Sequence, residues 1–307
     1  MNIPRIGITI GDPAGIGPEV VAKALSRLEV QKICIPVIIG EKKYLHKKIN
    51  AFIIDVPIPS KKKIVSGKYS SLSGISSYKY LVRAVELIKS RQINAVVTAP
   101  ISKDAFSMAG IQYRGHTELL ADFTNTKKYA MLMTAGKFRS VMITRHISVN
   151  DIGKNISSSK ITDTTLLVNN FLKEKLKIKN VRIGICALNP HSGENGLLGK
   201  DEKKFIIPAI KILKNKKIDV TGPLPSDSAW LSMKNGQMDL LVTMYHDQTM
   251  IALKCLNDKR IVNTTVGLPF IRTSPGHGTA FDIAGKGIAD ESSMVEAIKF
   301  AVKLTVR

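Results

Sequence analysis

Short apolar runs alternate along the chain with stretches of helical spacing. Residues 5–10, 34–39, 95–98, 181–188, 240–244 and 260–265 are runs of strand length, rich in Val and Ile. Between them, residues 20–28, 78–90, 163–176, 203–214 and 291–304 repeat apolar positions at helical spacing, as in Leu81, Val85 and Ile88. Pro208 interrupts the fourth of these early. Strands alternating with helices predict an α/β fold with a mainly parallel sheet. The alternation breaks once. Residues 129–134 and 139–145 are consecutive strands around Gly136-Lys137, a hairpin that marks passage into a second domain. Residues 66–77, 222–227 and 267–280 are rich in Ser, Gly or Pro and are expected as loops.

Three of the apolar runs end on a histidine. Residues 139–145 run into His146, residues 181–190 into His191, and residues 240–245 into His246, which Asp247 follows. Ligands gather beyond the carboxyl ends of parallel strands. Three imidazoles with an open position suit a catalytic divalent metal. His46, between lysine-rich segments, is expected at the surface. The glycine-rich turn over residues 11–19 joins a strand to a helix, where backbone N–H groups favour anions. Its spacing is neither GxGxxG nor GxxxxGK[ST]. His116 and Thr117 are expected at another helix N-terminus, as anion contacts or as an ordinary cap.

Composition adds bounds. The chain has 307 residues, about two domains at ~150 residues each. Its net charge is +22, which raises nucleic-acid binding as a possibility. The lysines are spread in small groups along the whole chain and aromatic residues are only 6%, so a solvated surface is the better reading. Cys34, Cys186 and Cys255 lie far apart without CxxC spacing. They are expected as reduced thiols, which suits the cytoplasm. The first residues enter a strand at once, without the apolar region of a cleavable leader, and no apolar run reaches membrane-spanning length.

Five motifs occur in order: Gly11-Asp12-Pro13-Ala14-Gly15-Ile16-Gly17-Pro18-Glu19, Gly115-His116-Thr117-Glu118, Asn189-Pro190-His191-Ser192-Gly193-Glu194, Tyr245-His246-Asp247-Gln248 and Gly276-His277-Gly278-Thr279-Ala280. Together they closely resemble the PdxA family of 4-hydroxythreonine-4-phosphate dehydrogenases, over nearly the whole chain. The resemblance implies two α/β/α domains with a cleft between them, as in isocitrate and isopropylmalate dehydrogenases. It places residues 1–125 and 265–307 in the first domain and 126–264 in the second. It implies slightly more C-terminal chain than is present here.

The resemblance also implies a homodimer with the active site shared across its interface. The family's metal ligands match His146, His191 and His246, with the counterpart of His246 supplied by the partner subunit. Its substrate-binding positions match His116, Thr117, Lys254, Asn263 and Arg272. Gly276, His277 and Gly278 fall in its dinucleotide region. The implied reaction is oxidation of 4-phosphooxy-L-threonine at C3 by NAD or NADP, with one divalent ion (Zn, Mg or Co), then loss of CO2 to give 3-amino-2-oxopropyl phosphate for pyridoxal phosphate. Asp247 is a candidate to orient an imidazole or take a proton. Lys254 is a candidate anion contact or general base. Three rival readings stand beside this one: a sister dehydrogenase of threonate or erythronate 4-phosphate, an acyl-phosphate transferase of related fold, and a basic nucleic-acid-binding protein.

Overall fold

The computed structural model describes residues 3–45, 49–113 and 115–306. His46, and Arg114 ahead of the Gly115-His116 motif, lie outside the described residues. Two compact units share the chain, Met1–Lys127 with Lys259–Arg307, and Lys128–Asp258. The return to the first unit falls at Lys259, ahead of the strand that carries Asn263 rather than after it.

The first unit opens with β1 (Arg5–Thr9), α1 (Gly17–Leu25), α2 (Leu28–Gln31), β2 (Ile35–Gly40) and β3 (Phe52–Asp55). It continues with α3 (Ser71–Lys89), β4 (Ala95–Thr98), α4 (Lys103–Met108) and α5 (His116–Phe123). The second unit contains β5 (Ala130–Ala135), β6 (Phe138–Met142), α6 (Ile152–Asn155), α7 (Ser158–Leu176) and β7 (Ile183–Cys186). There follow α8 (Ile207–Asn215), β8 (Val220–Leu224), α9 (Ser226–Lys234), β9 (Leu240–Thr243) and α10 (His246–Asn257). The chain then returns through β10 (Ile261–Val266), β11 (Ile271–Pro275) and α11 (Ser292–Thr305).

In the first unit the strand order is β3-β2-β1-β4-β11-β10. All pairs are parallel except β10 with β11. Four of β1's residues and all of β4's are buried, as expected of central parallel strands covered by helices. Helix α3 packs on β1 and β2, and α11 on β10 and β11. In the second unit the order is β5-β6-β9-β7-β8, antiparallel only in the β5-β6 hairpin. All four residues of β9 are buried.

Three expected loops contain regular structure. The serine-rich stretch holds the first turns of α3. Ser70 Oγ accepts from Ser73 N at 3.1 Å, and Ser73 Oγ accepts from Ser70 N at 3.1 Å. This capping box satisfies two of the helix's orphan donors. Gly74 lets α4 approach, because a Cβ there would run into the Ala105 carbonyl. The region 267–280 contains β11, whose Pro275 stands at the strand end, where its missing N–H costs little. The region 222–227 is shared between β8 and α9.

Candidate active site

In the first unit a buried cation has no ion pair among the described residues. Arg272 on β11 is 1% exposed. Its register opposite Val96 of β4 brings its guanidinium to Thr98, two residues further along the same strand face. Thr98 Oγ1 accepts from Nε at 3.2 Å and from Nη2 at 2.6 Å, and Thr265 Oγ1 accepts from Nη1 at 3.1 Å. No ion pair engages Arg272 among the described residues. Burial draws its guanidinium down to about 9, with Glu118 opposing, so the charge persists at neutral pH. A buried charge without a counterion is costly unless something supplies one.

His116, the first residue of α5, faces the same charge. Burial and the nearby Arg272 hold its imidazole well below the usual range, with a hydrogen bond to the Ala99 backbone opposing. Its Nε2 is sealed from solvent and has no protein partner among the described residues. Nδ1 is thereby the atom that bonds Ala99, so Nε2 keeps a lone pair. Thr117 is buried in the first turn. It is not the helix cap, because Gly115 holds that position without a side-chain bond. Asn263 on β10 is half-buried, and its Oδ1 is another buried atom without a partner among the described residues. Buried polar atoms are normally paired, so a cluster beside a lone guanidinium marks a place for a polar anionic ligand.

The glycine loop after β11 shows a related pattern. His277 Nδ1 lies 3.1 Å from Gly278 O, and its Nε2 is buried without a partner among the described residues. Burial lowers its pKa, while the Gly278 bond and Asp290 oppose. Gly278 is exposed and Gly276 packs its backbone against Ile261.

In the second unit the site is open. Strands β6 and β9 are parallel neighbours, and their pairing continues beyond both ends. Ile143 N donates to Thr243 O at 2.9 Å and Thr144 N to Met244 O at 3.0 Å. The following histidines therefore emerge side by side, with the ring centroids of His146 and His246 5.8 Å apart. They line a hollow of about 230 Å³ with Arg145, Val149, Tyr245 and Asp247. Asp247 Oδ1 lies 2.7 Å from His246 Nδ1, which fixes the ring and leaves Nε2 as the outward lone pair. Gln248 locks this end of the sheet. Its Oε1 accepts from Met244 N at 2.8 Å and its Nε2 donates to Ala187 O at 2.8 Å.

The structure does not gather every expected residue. His191 is exposed and does not line that hollow. It follows β7 in a segment where His191, Ser192, Gly193, Glu194 and Asn195 all have positive φ. Buried Glu202 shapes the approach, accepting from Leu188 N at 3.0 Å and Asn189 N at 2.8 Å. Among the described residues no group of three His, Cys, Asp or Glu side chains surrounds one point. Within one chain the pair is thus His146 with His246. Both residues follow neighbouring parallel strands of one chain, β6 and β9. Lys254 is exposed on α10, eight residues and about 12 Å along the axis from His246.

Two rings on one tetrahedral ion need centroids about 5 Å apart, so this pair fits two ligands after a small closure. Thr98, Thr265 and Gln248 were not anticipated as site residues. Their roles depend on strand register, which only the polar residue at each strand end hints at.

Comparison with known proteins agrees with these features. The family described as "Pyridoxal phosphate biosynthetic protein PdxA" matches residues 15–301. A 4-hydroxythreonine-4-phosphate dehydrogenase of Sulfurihydrogenibium sp. is 40% identical over 98% of this chain and 98% of its own. A D-threonate 4-phosphate dehydrogenase of Cupriavidus necator is 39% identical over 99% and 98%. The crystal structure of 4-hydroxythreonine-4-phosphate dehydrogenase from Klebsiella pneumoniae superposes with a TM-score of 0.88 at 34% identity, covering 99% of this chain and 98% of that one. An isocitrate dehydrogenase from Methylococcus capsulatus shares the fold alone, at 14% identity and a TM-score of 0.53 over 96% of this chain and 83% of that one. The α/β fold, the unopposed Arg272 beside His116 and the strand-end histidines thus belong to a chain of the PdxA family of dehydrogenases.

Proposed function

We propose that the protein oxidises the C3 hydroxyl of 4-phosphooxy-L-threonine with a nicotinamide dinucleotide and then decarboxylates the product, in pyridoxal phosphate biosynthesis. The observation that carries this reading is the buried Arg272, without an ion pair among the described residues, and the Nε2 of His116 beside it, likewise without a partner among them. A planar guanidinium suits the bidentate grip that a phosphate or carboxylate offers. His116 stays neutral, so its Nε2 accepts from a substrate hydroxyl or a protonated phosphate oxygen. Thr117 and Asn263 add polar contacts in the same unit. Lys254, in the other unit, is assigned anion binding as a mobile point charge.

His146 and His246 are the residues that would hold a divalent ion, Zn, Mg or Co, with His191 of a second copy completing the set. A homodimer with a shared site follows from this assignment. When bound, such an ion acidifies an alcohol and stabilises a developing oxyanion. Asp247 acts as a positioning residue, since its carboxylate is engaged by the His246 ring. In the reaction, hydride leaves C3 for NAD+ or NADP+ and the hydroxyl proton goes to a base. The C1–C2 bond then breaks, CO2 departs, and the electron pair moves to the C3 carbonyl. Protonation at C2 gives 3-amino-2-oxopropyl phosphate.

A second reading is favoured by the threonate relative, which is about as similar as the hydroxythreonine one. The two substrates differ at C2, amine against hydroxyl. Reduced dinucleotide formation with 4-phosphooxy-L-threonine and with D-threonate 4-phosphate, each with and without a chelator, tests both. The main reading expects turnover of the amino acid, abolished by chelator. Turnover of the threonate alone would replace it with the second, and chelator-insensitive turnover would remove the metal.

A further inference from the structure

A hollow in the first unit has a wall that does not include Arg272. It measures about 870 Å³, within the range of pockets that enclose whole cofactors. Gly15, Gly285 and Gly287 contribute bare backbone to its wall, and Tyr44, Ile64 and Pro18 contribute apolar surface. The glycine turn is tied to the loop after β11, because Ile16 N donates to Thr279 O at 2.9 Å. Glu19 accepts from Ala289 N at 2.8 Å and Gly287 N at 3.2 Å, which pins the far end of that loop.

Five lysines line the hollow, and they are not equivalent. Lys23 is paired with Glu19 at 2.8 Å and also donates to Gly287 O and Ala289 O. Lys43 is paired with Glu41 at 2.6 Å. Lys61, Lys62 and Lys63 have no ion pair among the described residues, and the Lys62 backbone is held in a turn by Ser60 Oγ at 3.0 Å. Three adjacent cations thus face a cofactor-sized cavity with glycine walls. NAD+ carries two pyrophosphate charges against one on nicotinamide. A 2′-phosphate adds about −1.5 to −2, so NADP+ arrives with about −3, which matches the unpaired lysines.

We infer that this cavity is the dinucleotide site and that Lys61, Lys62 and Lys63 select the phosphorylated dinucleotide, NADP+, through its 2′-phosphate. The inference rests on the dehydrogenase reading for the need of a dinucleotide, and it adds where that molecule sits and which form is preferred. The lysines are exposed, so replacing them leaves the core intact.

The test is equilibrium binding by calorimetry, without substrate or metal, using NADP+, NAD+, 2′,5′-ADP and 5′-AMP. The variant is Lys61→Gln with Lys62→Gln and Lys63→Gln. A charge-matched control replaces Lys214, Lys216 and Lys217, exposed lysines of the other unit, by Gln. In the first variant the dissociation constants of NADP+ and 2′,5′-ADP should rise about tenfold or more. Those of NAD+ and 5′-AMP should change less than about threefold, and the control should bind all four as the parent does. Unchanged NADP+ affinity, an equal loss of NAD+, an equal loss in the control, or a parent protein that binds neither dinucleotide would overturn the inference. If the selective loss is seen while no hydroxy acid is oxidised, the lysine site stands and the dehydrogenase reading falls.

Discussion

The two units hold their candidate chemistry in opposite states. In the first, Arg272 is sealed between β4 and β10, with threonine hydroxyls on three of its donors. In the second, His146 and His191 are exposed and the His246 side chain is 43% accessible. The first is a sealed cationic group held by neutral hydroxyls. The second is a pair of accessible imidazoles with ring centroids 5.8 Å apart. Buried polar groups demand partners from the fold or from a ligand, whereas exposed imidazoles are also served by solvent.

The sharpest way to break this comparison is at Arg272. Replacement by Met should lower kcat/KM by about 10³ or more while the fold survives, because it removes an unpaired buried charge. Arg272→Lys should rescue little, since a point charge cannot reproduce the fork held by Thr98 and Thr265. Steady-state kinetics with a circular dichroism control measures both. A variant with normal KM would show that the anion binds elsewhere.

The next effect lies in the second unit. Asp247→Asn should weaken metal affinity about 10- to 100-fold, as loss of an orienting carboxylate does, with kcat recovered at saturating metal. Metal titration followed by activity reads this. A loss of kcat that excess metal leaves in place would make Asp247 a proton carrier instead.

Smaller effects concern protonation. Asp12 is fully buried, accepts from Ala14 N at 2.9 Å and from Ser73 Oγ at 3.2 Å, and is raised by desolvation from 3.8 to about 6. A raised folded pKa means that the native state prefers the protonated acid. Its cost is absent below pH 3.8 and grows as pH rises through about 6, to about 3 kcal/mol. Asp12→Asn should therefore gain stability over the parent as pH goes from 4 to 7, measured by urea unfolding. His116 has the opposite sign. Its lowered pKa keeps the ring neutral when folded, so its contribution is lost as pH falls below 6.5. Its imidazole resonances should show no transition near 6.5, and one there would mean that it is neither buried nor beside a cation.

Much of this was legible before any coordinates. The alternation of apolar runs and helical spacing announced the α/β fold, and the sequence placed His146 and His246 just beyond the ends of strands, where the structure has them. The capped start of α3 was not, because Ser70, Ser73, Ser76 and Ser77 have loop composition, and the last three become helical only through burial and bonding with Ser70 as the cap. Strand β11 was hidden by the glycines and prolines around it, and with it the burial of Arg272. The grip of Thr98 on Arg272 joins residues 174 positions apart, which register decides and composition does not. The same applies to His146 and His246, whose meeting depends on β6 and β9 being neighbours.

That meeting is the claim most exposed to test. Inactive His191→Ala and His246→Ala chains are mixed, unfolded and refolded together, and reduced dinucleotide formation is measured. The same is done with His146→Ala and His246→Ala. If one chain supplies His146 with His246 and its partner supplies His191, the first mixture regains activity, because hybrids hold one intact set, and the second stays dead. Recovery in the second mixture, or in neither, would contradict it.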